Sequence, residues 1–268
     1  MIRIETCGAF VFATLDAPAT RNALSDAMVA GLDDALVLAE SQPAVRALVL
    51  RGAGGTFCAG GDFGRFQELM ATPWHDDGID PIADFNRGFG AMLERLQASA
   101  VATIAVVDGA AMGGGAGLAA TCDFVLAAST AQFGMPEVTL GLPPAQIAPF
   151  VAARLGRGAA LRLMLTGRRI TAAQALACGL ADELVERDAL DERLNALLAE
   201  LGRAEPAALR ATKAILRRGA DEPLRATLDF ASIAFAASLR SGTAAHGLAA
   251  MSAKQPAAWV AVPRGATG

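Results

Sequence analysis

The chain has 268 residues, enough for one large domain or for a domain with an appendage. It is 53% hydrophobic, yet its aromatics are 12 Phe and 2 Trp with no Tyr, so alanine and small aliphatics must fill the core. A net charge of −4 leaves no basic footprint for nucleic acid, and no apolar run reaches the ~18 residues of a membrane span. Cys7, Cys58, Cys122 and Cys178 form no CxxC pair, which sets zinc and dithiol chemistry aside and leaves four small buried hydrophobes. The N-terminus lacks the charged-then-apolar pattern of a leader, and the expected class is a reduced, cytoplasmic enzyme.

In chain order, Ile2–Thr6 and Phe10–Leu15 flank Cys7-Gly8-Ala9 and predict a hairpin. Ser25 predicts the cap of a helix running to about Glu40, which Pro43 ends. Val45–Leu50 reads as a buried strand, Gly64–Met70 as a short helix, and the polar, proline-containing Ala71–Pro81 as a mobile segment. A helix over Ile82–Gln97, a strand over Val101–Val107, a short helix from near Gly114 and a strand over Asp123–Ala127 follow. Alternation of buried strands with helices is an α/β signature. Beyond about residue 144 the pattern predicts almost only helices, over Pro144–Leu155, Gly158–Leu165, Ala172–Cys178, Asp188–Gly202 and Pro206–Ala253. Ala231–Leu239 is too apolar for a solvated helix and is expected to pack on another subunit.

Two glycine-dense turns stand out, Gly54-Gly55-Thr56-Phe57-Cys58-Ala59-Gly60-Gly61-Asp62 and Asp108-Gly109-Ala110-Ala111-Met112-Gly113-Gly114-Gly115-Ala116-Gly117. Each follows an apolar run. A turn without Cβ atoms can aim a backbone N–H outward and let a ligand approach the main chain. Two such turns suggest two N–H donors converging on one oxygen, an oxyanion hole; two tight strand exits packed for shape are the alternative.

The ordered set Arg21-Asn22-Ala23-Leu24-Ser25, Phe57-Cys58-Ala59-Gly60-Gly61-Asp62, Met112-Gly113-Gly114-Gly115, Cys122-Asp123, Gln132-Phe133-Gly134-Met135-Pro136-Glu137 and Leu140-Gly141 resembles the crotonase, or enoyl-CoA hydratase/isomerase, superfamily. Leu165-Thr166-Gly167 and Gly179-Leu180-Ala181 extend the likeness over roughly residues 1 to 255. The resemblance implies a crotonase-like α/β spiral of ββα units over 1–202 and a helical C-terminal oligomerisation region over 203–268, which builds homotrimers or pairs of trimers. It implies an acyl-CoA thioester substrate, with coenzyme A part of that substrate, no other cofactor and no metal. The donors would be the N–H groups of Gly61 and Gly114, and Glu137 the acid/base residue facing the thioester. Arg21, Ala23, Ala59 and Asp62 fall at positions that border the substrate, although Asp62 also suits a turn-fixing role. Lys254 matches a basic position that reaches a coenzyme A phosphate across subunits.

One departure matters. Typical hydratases of this family carry a second glutamate where this chain has Gly117. A single carboxylate suits a double-bond isomerase, or a hydratase whose water is positioned by another group. The stretch Pro144-Ala145-Gln146-Ile147-Ala148-Pro149-Phe150 resembles bacterial hydratases of branched glutaconyl-type thioesters, the isohexenylglutaconyl-CoA hydratases among them. There Gln146 would offer its amide to water or to a substrate carboxylate, or would be an ordinary polar residue at a helix start. A rival class is a dinucleotide enzyme, since Gly115-Ala116-Gly117-Leu118-Ala119-Ala120 satisfies GxGxxA. A scaffold that binds acyl-CoA without chemistry is the other.

Overall fold

The computed structural model describes residues 1–74 and 78–263. β1 (Ile2–Cys7) and β2 (Phe10–Leu15) form the hairpin, with Ile2 opposite Leu15 and Cys7 opposite Phe10. Ser25 accepts from the Met28 N–H at 3.3 Å and caps α1 (Asp26–Ser41), whose buried Met28, Leu32, Ala35, Leu36 and Ala39 recur at helical spacing. β3 (Ala47–Gly52), α2 (Phe63–Ala71), α3 (Pro81–Ala98) and β4 (Ala102–Val107) follow. Next come β5 (Ala110–Met112), α4 (Gly114–Thr121), β6 (Phe124–Ala128) and β7 (Gln132–Gly134). α5 (Ala148–Leu155), α6 (Arg157–Thr166), β8 (Arg169–Thr171), α7 (Ala172–Ala177), β9 (Glu183–Val185) and α8 (Leu190–Gly202) complete the core. α9 (Pro206–Asp221), α10 (Leu224–Arg240) and α11 (Thr243–Ser252) end the chain.

The larger sheet has the order β1-β2-β3-β4-β6-β9, parallel throughout except for the β1–β2 hairpin. β1 is its edge and alternates Arg3 and Glu5 with apolar neighbours, a pattern that resists pairing with another chain. β4 lies at the centre with all six residues buried. A second sheet, β5-β7-β8, pairs β5 with β7 in parallel and β7 with β8 antiparallel.

The region after residue 144 is less purely helical than its periodicity predicts. β8 and β9 are three-residue strands that complete the two sheets. The helix predicted from Pro144 begins at Ala148 instead: residues 145–147 form a turn in which Ala145 N–H donates to Pro143 O at 2.8 Å and Ala148 N–H to Pro144 O at 3.0 Å. The expected mobile segment Ala71–Pro81 falls partly on residues 75–77, outside those described.

In the last three helices only Thr227 is buried, whereas Leu216, Leu224, Leu228, Ile233, Phe235, Leu239, Leu248 and Met251 are exposed. The chain then returns to the core. The Trp259 indole donates to the Arg203 carbonyl at 3.1 Å, Ala261 N–H donates to Gly202 O at 2.9 Å, and buried Arg46 donates to the Trp259 carbonyl.

Candidate functional site

Parallel strands bring their following loops to one side of the sheet, so residues 53–62 after β3 meet residues 108–113 after β4. Main-chain hydrogen bonds then lace four extended segments into a ladder. Leu24 N–H donates to Gly60 O at 2.8 Å and Ala59 N–H to Arg21 O at 3.0 Å. Cys58 N–H donates to Ala110 O at 3.0 Å, Met112 N–H to Cys58 O at 2.9 Å, and Gly113 N–H to Gly134 O at 2.8 Å. Asn22 pins one end. It is fully buried in left-handed geometry (φ 58), its amide donates to Ala53 O and Thr56 O at 2.9 and 2.7 Å, and its side-chain oxygen accepts from Ala17 N–H at 2.9 Å. Reading the sequence gave Asn22 no role of its own, since all its partners are backbone groups.

The two glycine turns touch. Gly60 sits at φ 96, and a Cβ there would stand 2.7 Å from Met112 O and 3.5 Å from the Gly114 nitrogen. Among the described residues neither the Gly61 nor the Gly114 N–H has an acceptor. Gly114 opens α4, where an N–H has no intrahelical partner and the helix dipole favours negative charge.

Glu137 starts a short 3-10 turn, Glu137–Leu140, three residues beyond the Gly134 that holds Gly113. Its carboxyl lies over Gly113, since a Cβ at that position would meet Glu137 Oε1 at 2.9 Å. Oε2 is buried without a hydrogen-bond partner among the described residues. Burial pushes the carboxyl above its ordinary pKa, partly offset by the residue's own N–H. The group can therefore exchange a proton closer to neutrality than a solvated glutamate.

One helical turn along α4, Gly117 faces Ile147. A Cβ at 117 would stand 2.5 Å from the Ile147 Cβ, and Ile147 is itself buried. No side chain fits at 117 while Ile147 is seated there, which rules out simple restoration of a second glutamate. Aromatic rings wall the opposite side. The Phe66 ring lies on Gly61 and Phe89 on Gly114, while Phe66 packs edge to face with Phe63 and Phe85 at 6.0 and 6.1 Å. Sequence reading had not singled out these phenylalanines. Their spacing on α2 and α3 marks them only as apolar faces.

The remaining expected residues divide. Ala59 and Arg21 belong to the ladder, with Arg21 exposed at φ 52, while Ala23 N–H closes a local turn on Thr20 O at 3.3 Å. Asp62 caps α2, accepting from Gly64 and Arg65 N–H at 3.0 and 3.3 Å. Half-buried Gln146 is engaged: its amide donates to Asn86 Oδ1 on α3 at 2.8 Å. Lys254 is exposed just after α11, and no side-chain bond among the described residues ties it to the ladder. Cys58 is buried, its sulfur accepting from Gly60 N–H at 3.4 Å, and burial pushes its thiol up to about 12. The GxGxxA stretch offers no phosphate cradle, because Cys58 lies against Gly115 and Ile147 against Gly117. Among the described residues no group of three or more His, Cys, Asp or Glu is placed to hold a metal, and no helix is long and apolar enough to cross a membrane.

Comparison with known proteins agrees with this geometry. Residues 6–261 match the family model described as enoyl-CoA hydratase/isomerase. A probable enoyl-CoA hydratase of Rhizobium meliloti is 36% identical over 95% of both chains. The 2,3-dehydroadipyl-CoA hydratase of Escherichia coli is 34% identical over 80% of this chain and 81% of its own. The solved structure of Pseudomonas aeruginosa AtuE superposes with a TM-score of 0.92 at 41% identity, covering 97% of this chain and 99% of that one.

Proposed function

The chain belongs to the enoyl-CoA hydratase/isomerase family and is an acyl-CoA enzyme, and on that premise we propose that it adds water to a branched, carboxylated 2-enoyl-CoA. The observation that carries the chemistry is Glu137, whose buried Oε2 has no partner among the described residues and whose Oε1 lies over Gly113, the neighbour of Gly114. The thioester oxygen accepts from the Gly61 and Gly114 N–H groups, each contributing about 3 to 4 kcal/mol as charge develops on it. Ionised Glu137 takes a proton from water while the water oxygen bonds to Cβ. The C=C electrons move to Cα and the thioester oxygen, giving an enolate, and Glu137 then returns the proton to Cα. One carboxylate serves both transfers, so hydrogen and hydroxyl arrive from the same face.

The substrate class rests on three supports. Gly117 and Ile147 remove the second carboxylate and leave an apolar wall in its place. The stretch Pro144–Phe150 resembles hydratases of branched glutaconyl thioesters, with isohexenylglutaconyl-CoA as the model acyl group. One relative is named for the thioester of a dicarboxylic acid. Arg21, Ala23 and Ala59 border the coenzyme A moiety, and Asp62 acts by fixing the turn that presents Gly61. The exposed apolar faces of α10 and α11 assemble residues 203–268 of three subunits into a homotrimer, or two such trimers into a hexamer, and Lys254 then meets the coenzyme A phosphate of a neighbour.

The test is a panel of straight 2-enoyl, 3-enoyl and branched carboxylated enoyl-CoA esters, followed by mass and by double-bond absorbance together. A gain of one water, fastest on the branched carboxylated ester, is expected. Rapid hydration of plain crotonyl-CoA would overturn the substrate reading. An absorbance change without a mass change would establish the second reading, a double-bond isomerase, which the single carboxylate and apolar Ile147 wall favour.

A further inference from the structure

The most unusual packing near the ladder lies at Gly90 on α3. This glycine is buried, and a Cβ there would overlap the Gln146 Oε1, with Gln146 Cδ 2.8 Å away and Arg87 Nη1 at 3.0 Å. The Gln146 amide nitrogen donates to Asn86 Oδ1 at 2.8 Å. Asn86 precedes Gly90 by one helical turn, so both face the same way. Residues 146 and 147 thus form a two-pronged plug: Gln146 seats in the side-chain-free notch of α3, and Ile147 in that of α4 at Gly117. Phe89, next to Gly90, touches Gly114. The polar notch is bracketed by residues that line the reacting centre.

Its chemistry is lopsided. Arg87 spends Nη2 on Glu94, at 3.0 and 2.8 Å, which turns Nη1 toward the notch. Among the described residues Arg87 Nη1, Arg87 Nε and Asn86 Nδ2 have no acceptor, so donors outnumber acceptors around Gly90. Turning both amides end for end leaves that excess unchanged. A group rich in acceptors matches it, and a carboxylate can accept a charge-assisted hydrogen bond from Nη1 while Nη2 stays with Glu94.

We infer that Arg87, flanked by Asn86 and Gln146 around the Gly90 notch, is a specificity-determining residue that receives the distal carboxylate of the substrate. The inference rests on the carboxylated-substrate reading above. It gives that reading a named recognition residue on an element the glycine turns do not include. Gly90 has a positive reason to lack a side chain, because any Cβ would evict the Gln146 amide.

The experiment compares 3-methylglutaconyl-CoA with its uncharged counterpart, 3-methylcrotonyl-CoA, and reads the ratio of their kcat/KM values. Wild-type protein should favour the carboxylated ester. Arg87→Met should cut that ratio roughly 10- to 100-fold, the worth of a hydrogen bond to a charged group, mainly through KM. Arg87→Lys should recover part of it, and Gly90→Ala should reduce it by displacing Gln146. More than half of the Arg87 side chain is exposed, so Arg87→Met should fold, and its melting curve checks this. A wild-type enzyme with no preference would overturn the substrate reading, and this inference with it. A wild-type preference that survives Arg87→Met would overturn the inference alone.

Discussion

α4 and α10 are both alanine-rich and meet opposite fates. Every residue of α4 from Gly115 to Thr121 is buried, because its glycine notches receive Cys58 and Ile147 and its first turn meets Leu24 and Phe89. α10 buries only Thr227, while Ile233 and Phe235 remain more than two-thirds exposed. α4 adds three glycines and no charge, α10 two phenylalanines, two arginines and an aspartate, and what lies across from each completes the difference. α4 is completed by its own chain and, in the proposed mechanism, presents one of the two oxyanion donors. α10 presents an apolar face too large for a lone subunit in water. The comparison predicts that changes around α4 cost rate in every subunit, and changes on α10 cost assembly.

The largest effect should come from Glu137→Gln, which keeps the shape but cannot exchange the proton. Turnover should fall by roughly two to four powers of ten. The same variant carries a stability signature. Burial raises the folded pKa of Glu137, so the stability it contributes is fully present below its unfolded pKa and is lost as pH rises through the folded value. The melting temperature of Glu137→Gln should therefore gain on wild type between pH 4 and pH 8. A gap that stays constant with pH would mean the carboxyl is not held in a desolvating site.

Gly114→Pro comes next. Proline is tolerated at the first position of a helix and deletes the N–H, although its ring must push aside Leu24 Cδ1, which a Cβ there would meet at 2.8 Å. Turnover should drop on the order of a hundredfold or more in a variant whose melting curve shows it folded. Full turnover in that variant would remove Gly114 from the oxyanion site. Gly117→Glu should destabilise by roughly 1 to 3 kcal/mol, because the new side chain collides with Ile147. Denaturant unfolding measures this. Crotonyl-CoA hydration should rise only when Ile147→Gly accompanies it; a gain from Gly117→Glu alone would show that the notch is soft.

The smallest effect on the subunit itself should come from Phe235→Glu. Both ends of this change are surface residues of the single chain, so its folding stability should move by no more than ~0.5 kcal/mol. Sedimentation should nonetheless show wild type as a trimer or hexamer and the variant as a smaller species. A wild-type monomer at micromolar concentration would end the proposed division of labour between the two helices.

Much of this was legible in the chain. Ser25 and Asp62 announce their helices by cap chemistry, and runs such as Val45–Leu50 are long enough to declare a buried strand. β5, β7, β8 and β9 are not visible that way. Three residues carry too little alternation to register, and their pairing is set by distant partners such as Gly134 with Gly113. The glycine turns and the Glu137 motif could be read as a set, whereas the seating of Ile147 in Gly117 and of Gln146 in Gly90 exists only once three helices converge. The absence of a second glutamate was readable; the reason one cannot simply be put back was not.

Cys58 belongs to the first glycine turn and packs against Gly115 of the second, and burial pushes its thiol up to about 12. Alkylating agents, peroxides and disulfides all react with the thiolate, a form almost unpopulated in this cysteine at neutral pH. An enzyme of coenzyme A thioesters works among free coenzyme A thiol and its disulfide. Packing the sulfur against Gly115 buries it and disfavours the thiolate that mixed-disulfide formation needs, whereas Cys7 and Cys178 are only partly buried.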